Sequence, residues 1–293
     1  MSPRTRSLLF LVTAAVLWST SGLFLKSMPS VHWIKIAGLR SLFGAILFLP
    51  GIIQPRPPAR KLMATVITYA VMVGALMGSM QLGTAAQGIW LQYIAPALVA
   101  LWAWGLQRQR LRPPETATVI LTVVAIIFIV TGGSGRAHQY SVLLGLISGL
   151  GFGTFIILLK SMGDLPPARI FVWTNLGTAA ALLPVGIALG VPLATAPRDL
   201  LLLAVMGLVQ LALPYYFFQY GLSGTRAVEA SLIILLEPIL NPILVYLALG
   251  EIPAPKVILG CALIAVGLVA MALFPNHRGV EGAAEAPSTK GCG

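Results

Sequence analysis

Ten apolar stretches fill most of this 293-residue chain, each close to the length a helix needs to cross a bilayer. They cover residues 8–28, 33–53, 62–82, 85–105, 117–133, 141–161, 169–190, 200–221, 227–248 and 255–274. Water is absent from the hydrocarbon core, so each stretch must pair its own backbone groups, and a continuous apolar run does so as a helix. Composition agrees: 58% of residues are hydrophobic and 9% charged, against about 25% charged in a soluble domain. The fold predicted is all-α, a polytopic membrane protein with ten transmembrane helices. Short connections rich in breakers separate the runs, among them Pro29, Pro55 to Pro58, Pro113-Pro114, Gly132-Gly133, Pro166-Pro167, Pro197 and Pro253. The first run is itself long enough to span, so no cleaved leader is expected. The Gly/Ala-rich segment 275–293 reads as a disordered tail.

A net charge of +11 raises the question of nucleic acid, but the basic residues lie between the apolar runs. They orient the chain instead. With the N-terminus inside, the cytoplasmic connections and tails hold 13 Lys and Arg: Arg4, Arg6, Arg56, Arg60, Lys61, Arg108, Arg110, Arg112, Lys160, Arg169, Arg226, Arg278 and Lys290. The other side holds 5: Lys26, Lys35, Arg136, Arg198 and Lys256. Both ends are therefore expected in the cytoplasm, and Arg40 lies inside the second run. Cys261 and Cys292 suggest neither a disulfide nor a metal site, and His32, His138 and His277 show no ligand spacing. No metal or other cofactor is expected.

The two halves of the chain repeat each other. Leu25-Lys26-Ser27-Met28 recurs as Leu159-Lys160-Ser161-Met162 after 134 residues, and the same shift sets Trp18 on Phe152 and Thr20 on Thr154. A shift of 138 sets Gln81-Leu82-Gly83 on Gln219-Tyr220-Gly221, and one of 142 sets Pro96 on Pro238 and Pro113 on Pro255. The added residues fall in connections, which tolerate insertion. Five crossings are an odd number, so the second copy must be inverted relative to the first. The expected units are residues 1–139, then an inverted 140–274, then the tail 275–293. Inverted repeats of this kind are typical of transporters that bind substrate at mid-membrane.

Two five-helix repeats, Glu237-Pro238 within the ninth run and Leu249-Gly250-Glu251 at its end resemble the drug/metabolite transporter superfamily, in its ten-helix branch. The segment from Trp18 to Met28 and the chain as a whole look most similar to bacterial inner-membrane exporters of aromatic amino acids and paraquat-like compounds. The resemblance covers residues 8–274. It implies a basket of helices around a central cavity, with access alternating as the halves rock.

Polar residues inside the runs carry the functional information, because lipid penalises them unless they face a partner or a cavity. In the first run these are Thr20 and its serine neighbours beside Trp18, although such hydroxyls also bond back to the preceding turn. Gln81 ends the third run. Gln87 and Trp90 share one helical face of the fourth, with Tyr93 alongside. Tyr215 and Gln219 lie four apart in the eighth, an i,i+4 pair joining a phenol and an amide. The ninth run carries Glu229, Glu237 and Asn241, with Pro238 and Pro242 freeing carbonyls of the preceding turn. A carboxylate there is either a proton or amine site or a structural group bonded at the kink. Arg40 pairs with an acid, snorkels, or meets a substrate carboxylate.

The expected substrate-binding residues are Trp18, Thr20, Gln81, Gln87, Trp90, Tyr93, Thr154, Tyr215, Gln219 and Glu237, with Glu229 and Glu237 as candidate proton carriers. No Walker sequence is present, and no nucleophile–base set lies within one site, so the expectation is a transporter and not an enzyme. Its partners are a small-molecule substrate, an amino acid or related metabolite, and the bilayer of a bacterial inner membrane; nucleic acid is not expected, and a ten-helix basket can act as a monomer. Two rivals remain. One is an exporter of another metabolite or a cationic drug in the same fold, and the other is a membrane scaffold with a solid interior.

Overall fold

A computed structural model describes residues 2–50, 58–162, 166–222 and 224–274; the expected tail, with Cys292, lies outside the described residues. Every regular element among them is helical. In chain order these are α1 (Pro3–Ser19), α2 (Ser21–Lys26), α3 (Trp33–Ile46), α4 (Ala59–Leu82), α5 (Ala85–Gln92), α6 (Ala95–Gln107) and α7 (Pro113–Val130). There follow α8 (Gly135–Ser161), α9 (Pro167–Ala188), α10 (Pro197–Val205), a π-helical segment Met206–Ala212, α11 (Leu213–Leu222), α12 (Ala227–Ile234), α13 (Leu236–Leu249) and α14 (Pro255–Leu273).

Among the described residues, 9 helical runs are long and apolar enough to cross a membrane. The second stretch is the exception, because its helix, expected over 33–53, ends at Ile46 after 14 residues. That is about 21 Å of rise, short of a full hydrocarbon core. Pro50 disfavours helical geometry at the residue before it and lacks an N–H to donate, which explains an early stop. Three prolines that mark connections in the sequence, Pro113, Pro167 and Pro197, prove to be first helical residues, as do Pro3 and Pro255. A proline's missing N–H costs nothing there, since the first turn has no acceptor for it.

Bonds between connections sort them into two ends of the bundle. At one end Arg4 meets Glu229 at 2.5 Å, Lys61 Nζ donates to the Ser161 carbonyl at 2.6 Å, and Arg112 Nη1 donates to the Phe274 carbonyl at 2.9 Å. At the other end Lys26 meets Glu251 at 2.7 Å, and Gln81 Oε1 accepts the Trp33 N–H at 2.8 Å. There, too, Lys35 Nζ donates to the carbonyls of Pro192 and Ala194, each at 2.6 Å.

The central helices pack through small residues. α4 lies against α8 and α9, α1 against α11 and α13, and α3 against α9 and the π segment. Hydrophobic burial offers little drive between helices in lipid, so close backbone approach supplies the dispersion that holds them. α3 and the π segment show it best: a Cβ on Gly207 would stand 2.6 Å from the Arg40 carbonyl oxygen and 2.8 Å from the Gly44 nitrogen. Those neighbours are backbone and have no rotamer through which to yield. Gly207→Val is therefore expected to cost about 1–3 kcal/mol by overpacking, read as a lower melting temperature of the detergent-solubilised protein; an unchanged melting temperature would show that the two helices do not meet there.

Candidate functional site

Four of the membrane-length runs are interrupted in mid-course, at Thr20, at Tyr93-Ile94, through the π segment and at Leu235. Each has a local cause. Proline at position i gives no N–H to the carbonyl of i−4. Pro96 so orphans Gln92, the last residue of α5, and Pro238 orphans Ile234, the last residue of α12. Pro214 does the same to Gln210, inside the π segment, where bonding shifts to the fifth residue back. The first run has no proline. There Ser19 Oγ and Thr20 Oγ1 bond back to the carbonyls of Val16 and Leu17, at 2.6 and 2.7 Å, and α1 ends at Ser19.

All four interruptions border one cavity of about 330 Å³. Trp18 and Ser21 flank the first, Gln92 and Tyr93 belong to the second, Gln210 and Leu211 to the third, and Ile234 and Glu237 flank the fourth. Irregular backbone at membrane depth is tolerated where it lines such a space. The walls carry eight aromatic side chains: Trp18, Tyr69, Tyr93, Phe152, Phe155, Phe171, Tyr215 and Phe218. They brace one another, with ring centroids 4.5 Å apart for Phe171 and Tyr215, 5.1 Å for Tyr69 and Phe155, and 5.4 Å for Trp18 and Phe218. Such offset, tilted contacts match the electrostatics of aromatic rings.

Two charged residues line the cavity among those described, Arg40 and Glu237. Glu237 Oε2 accepts the Tyr93 hydroxyl at 2.8 Å, bridging the broken ends of the α5–α6 and α12–α13 runs. Arg40 is 6% exposed, and its Nη1 reaches Met77 Sδ at 3.7 Å. Amide and hydroxyl groups pin the helices around them. Asn241 Nδ2 donates to Ser21 Oγ at 2.8 Å, Gln210 Nε2 to the Trp18 carbonyl at 3.2 Å, and Gln92 Nε2 to Ser148 Oγ at 3.2 Å.

Of the residues expected from sequence, Trp18, Tyr93, Tyr215 and Glu237 line this cavity. The others stand elsewhere. Thr154 is exposed on the outer face of α8 and donates to the Leu150 carbonyl at 2.9 Å. Phe152, Phe155 and Leu159 hold the inner face of that helix, which turns residue 154 outward. Thr20 is occupied by its back-bond to Leu17, and its neighbour Ser21 faces the cavity instead. Gln81 spans the Trp33 N–H and the Val31 carbonyl, each at 2.8 Å, and so ties down the connection before α3. Gln87 donates to Ser141 Oγ at 2.8 Å, an α5–α8 contact, and Trp90 is core at 4% exposure. Gln219 lies off the lining, with Nε2 buried and unbonded. Glu229 is not among the residues that line the cavity. It caps the start of α12, accepting from the backbone N–H of Arg226 at 3.4 Å and pairing with the Arg226 and Arg4 side chains. The residues that sequence reading left out of the lining include Arg40, Tyr69, Gln92, Phe155 and Gln210. For Arg40 the signal was present, as a lone cation within an apolar run.

The cavity continues toward the end of the bundle that carries the termini. A second space of about 520 Å³ shares Tyr93, Phe152, Phe218 and Ile234 with it and reaches Leu222, Ala230 and Ala272. The opposite end is tied shut. Gly250, at φ +70°, closes α13 in the left-handed conformation that glycine adopts without penalty. Glu251 follows at once. Its carboxylate meets Lys26 Nζ at 2.7 Å and accepts the Ala85 N–H, the first of α5, at 2.7 Å. Lys26 also donates to the Gly83 carbonyl at 2.6 Å. An anion at a helix N-terminus and a cation on a free carbonyl are both favourable, so one ion pair fastens three connections.

A helical membrane bundle whose broken helices surround a chambered cavity, open toward one end and latched at the other, is the architecture of a solute transporter. The chain belongs to the EamA-like transporter family, within the drug/metabolite transporter superfamily: the family model matches residues 5–131 and again 139–273. An uncharacterized transporter of Archaeoglobus fulgidus is 23% identical over 261 residues, 88% of this chain and 93% of that one. The uncharacterized transporter YwfM of Bacillus subtilis is 26% identical over 189 residues, 63% of each chain. Human solute carrier family 35 member G1 is 21% identical over 185 residues, 57% of this chain and 51% of its own. The fold also matches a protein crystal structure with a TM-score of 0.65 at 20% identity, covering 91% of this chain and 98% of that one.

The arrangement makes two measurable demands. In a background with Cys261 and Cys292 replaced by alanine, Phe152→Cys should react with a water-soluble maleimide at least about tenfold faster than Thr154→Cys, because a thiol in hydrocarbon does not ionise; equal or reversed rates would place residue 152 outside the cavity. Glu251→Ala should speed hydrogen exchange at the Ala85 amide about tenfold or more, as the carboxylate acceptor is lost. Unaltered exchange would mean that this end is not held by the ion pair.

Proposed function

We propose that the protein exports amino acids, those with aromatic or apolar side chains preferred, and related small metabolites, by alternating access through the central cavity. The observation that carries this reading is the lining: eight aromatic side chains among aliphatic neighbours, with one cation and one carboxylate. A phenyl or indole ring gains stacking and apolar burial against Trp18, Tyr69 or Tyr93. The volume, about 330 Å³, falls at the lower end of small-molecule sites, roughly 300–1,000 Å³.

In this reading α3 completes ten crossings, and residues 1–139 and 140–274 form two five-helix halves inverted about the cavity. The two matched segments of the family model support that division. So do the equivalent interruptions before Pro96 and Pro238, and the presence of Trp18 and Phe152 on one cavity wall. The excess of Lys and Arg at the end that carries the termini orients that end to the cytoplasm of a bacterial inner membrane. The cavity then faces the cytoplasm, and the Lys26–Glu251 pair closes the far side until substrate binding favours its opening.

Glu237 is the group suited to couple transport to protons, since the carboxylate faces the cavity and Glu229 does not. A proton and a substrate ammonium compete for it, which links export to proton entry. A cationic drug would meet Glu237 equally well, but Arg40 in the same cavity opposes a substrate of purely positive charge. A non-transporting scaffold has no use for a cavity of this size.

Purified protein in liposomes, given tryptophan, phenylalanine, methionine or threonine, should move the aromatic pair at least about tenfold faster than threonine, and faster with an opposing pH gradient. Glu237→Gln should remove the gradient dependence and leave downhill exchange measurable. Uptake led by threonine, or by none of the four, would refute the assignment; an undiminished gradient response in Glu237→Gln would remove the coupling role.

A further inference from the structure

Arg40 is a guanidinium buried at membrane depth with no anion at ion-pair distance, 4.0 Å, among the described residues. It is 6% exposed. Of its five N–H donors, one meets the thioether of Met77 at 3.7 Å, a weak acceptor, and Nε has no partner. A buried charge left unpaired is among the more destabilising features a membrane helix can carry, and those that persist mark substrate or ion pathways. Packing does not require it, because a methionine or leucine would fill the same volume without the penalty.

The second half of the observation is Glu237. Its carboxylate has one hydrogen-bond donor, the Tyr93 hydroxyl at 2.8 Å, and no cation within ion-pair distance among the described residues. Both groups line the same cavity, yet they do not meet. Opposite charges in a confined space of low polarity attract strongly. Helix packing nevertheless keeps them apart: α3 is fixed against the π segment at Gly44 and Gly207, and α13 is pinned to α2 by Asn241 and Ser21. The two charges are thus held in one cavity without pairing, which leaves both available to a molecule that carries the complementary charges.

We propose that Arg40 binds the carboxylate of the transported molecule while Glu237, held by Tyr93, binds its ammonium, so that the cavity selects zwitterions with an aromatic or apolar body. The planar fork of arginine pairs with both oxygens of a carboxylate, which fixes the direction in which the substrate lies. The side chain then points among Phe155, Phe171 and Tyr215. This assignment rests on the amino-acid reading above and adds its polar recognition. It explains why one cavity holds charges of both signs, which neither a cationic nor an anionic substrate would use.

The test is a ligand series on the full-length protein in detergent, with affinity read by calorimetry for L-tryptophan, tryptamine and indole-3-propionate. Tryptamine lacks the carboxylate and indole-3-propionate lacks the amine. The wild-type protein should bind L-tryptophan at least tenfold tighter than either. Arg40→Gln should abolish the preference for L-tryptophan over tryptamine and leave tryptamine's affinity within about twofold, with Arg40→Lys restoring part of the preference. Tryptamine bound as tightly as L-tryptophan by the wild type would overturn the proposal, and that comparison needs no variant to fold. An Arg40→Gln variant that weakens both ligands equally would also overturn it, assigning Arg40 a structural role. Failure of all three indoles to bind would reject the amino-acid reading itself, whereas binding without discrimination would reject only the roles given to Arg40 and Glu237.

Discussion

Lipid offers a backbone carbonyl no alternative partner, and this constraint governs the rest of the molecule. A helix that crosses the bilayer unbroken satisfies itself, so an interruption must face protein or water. Four runs here are interrupted, three of them before prolines, and all four interruptions converge on the same space. The cavity and the breaks therefore explain each other: the space supplies the polar surroundings that the freed groups require, and the breaks supply the irregular surface that shapes it. Tyr93 and Glu237, which sit at two of these breaks, are joined by a hydrogen bond of 2.8 Å.

Around that centre the two ends of the bundle differ in kind. The end that carries the termini is bonded pairwise and peripherally, as Lys61 to Ser161 or Arg112 to Phe274. The other end is fastened across its middle, where Lys26, Gly83, Ala85 and Glu251 form one connected set. A latch of two partly exposed charges, with side chains 19% and 20% exposed, contributes modestly and is reversible. Such a device suits a gate better than a permanent seam. The Leu249-Gly250-Glu251 segment thereby acquires a physical meaning: the glycine ends the helix in a conformation few other residues adopt, and the glutamate is delivered to the start of α5 and to Lys26.

Much of this was legible in the sequence, and the failures have definite causes. Apolar runs and breakers marked the helices, and Pro238 announced where one of them would yield; Pro96 and Pro214 carry the same missing N–H in two others. The rotation of each helix was not legible. The match of Thr20 with Thr154 suggested a pair of sites, but Phe152 and Phe155 claim the inner face of α8, so residue 154 faces out. Gln81 and Gln87 are amides inside apolar runs, a signal that reads the same whether the partner is a substrate or a neighbouring helix; here it is Trp33 and Val31 for one, Ser141 for the other. Glu229 and Glu237 stood together as candidate proton carriers in one run, yet the break at Leu235 resets the helical phase between them. Arg40 was visible as an embedded cation, but its lack of a described anion at ion-pair distance appears only once α3 is packed.

The central claim is that a zwitterionic aromatic solute lies between Arg40 and Glu237 within the broken-helix cavity. An experimental density map of the protein with bound L-tryptophan tests it most directly. The account predicts ligand density bridging the two side chains, with the indole among the aromatic walls. A cavity filled by protein side chains, or tryptophan lodged elsewhere, would contradict it.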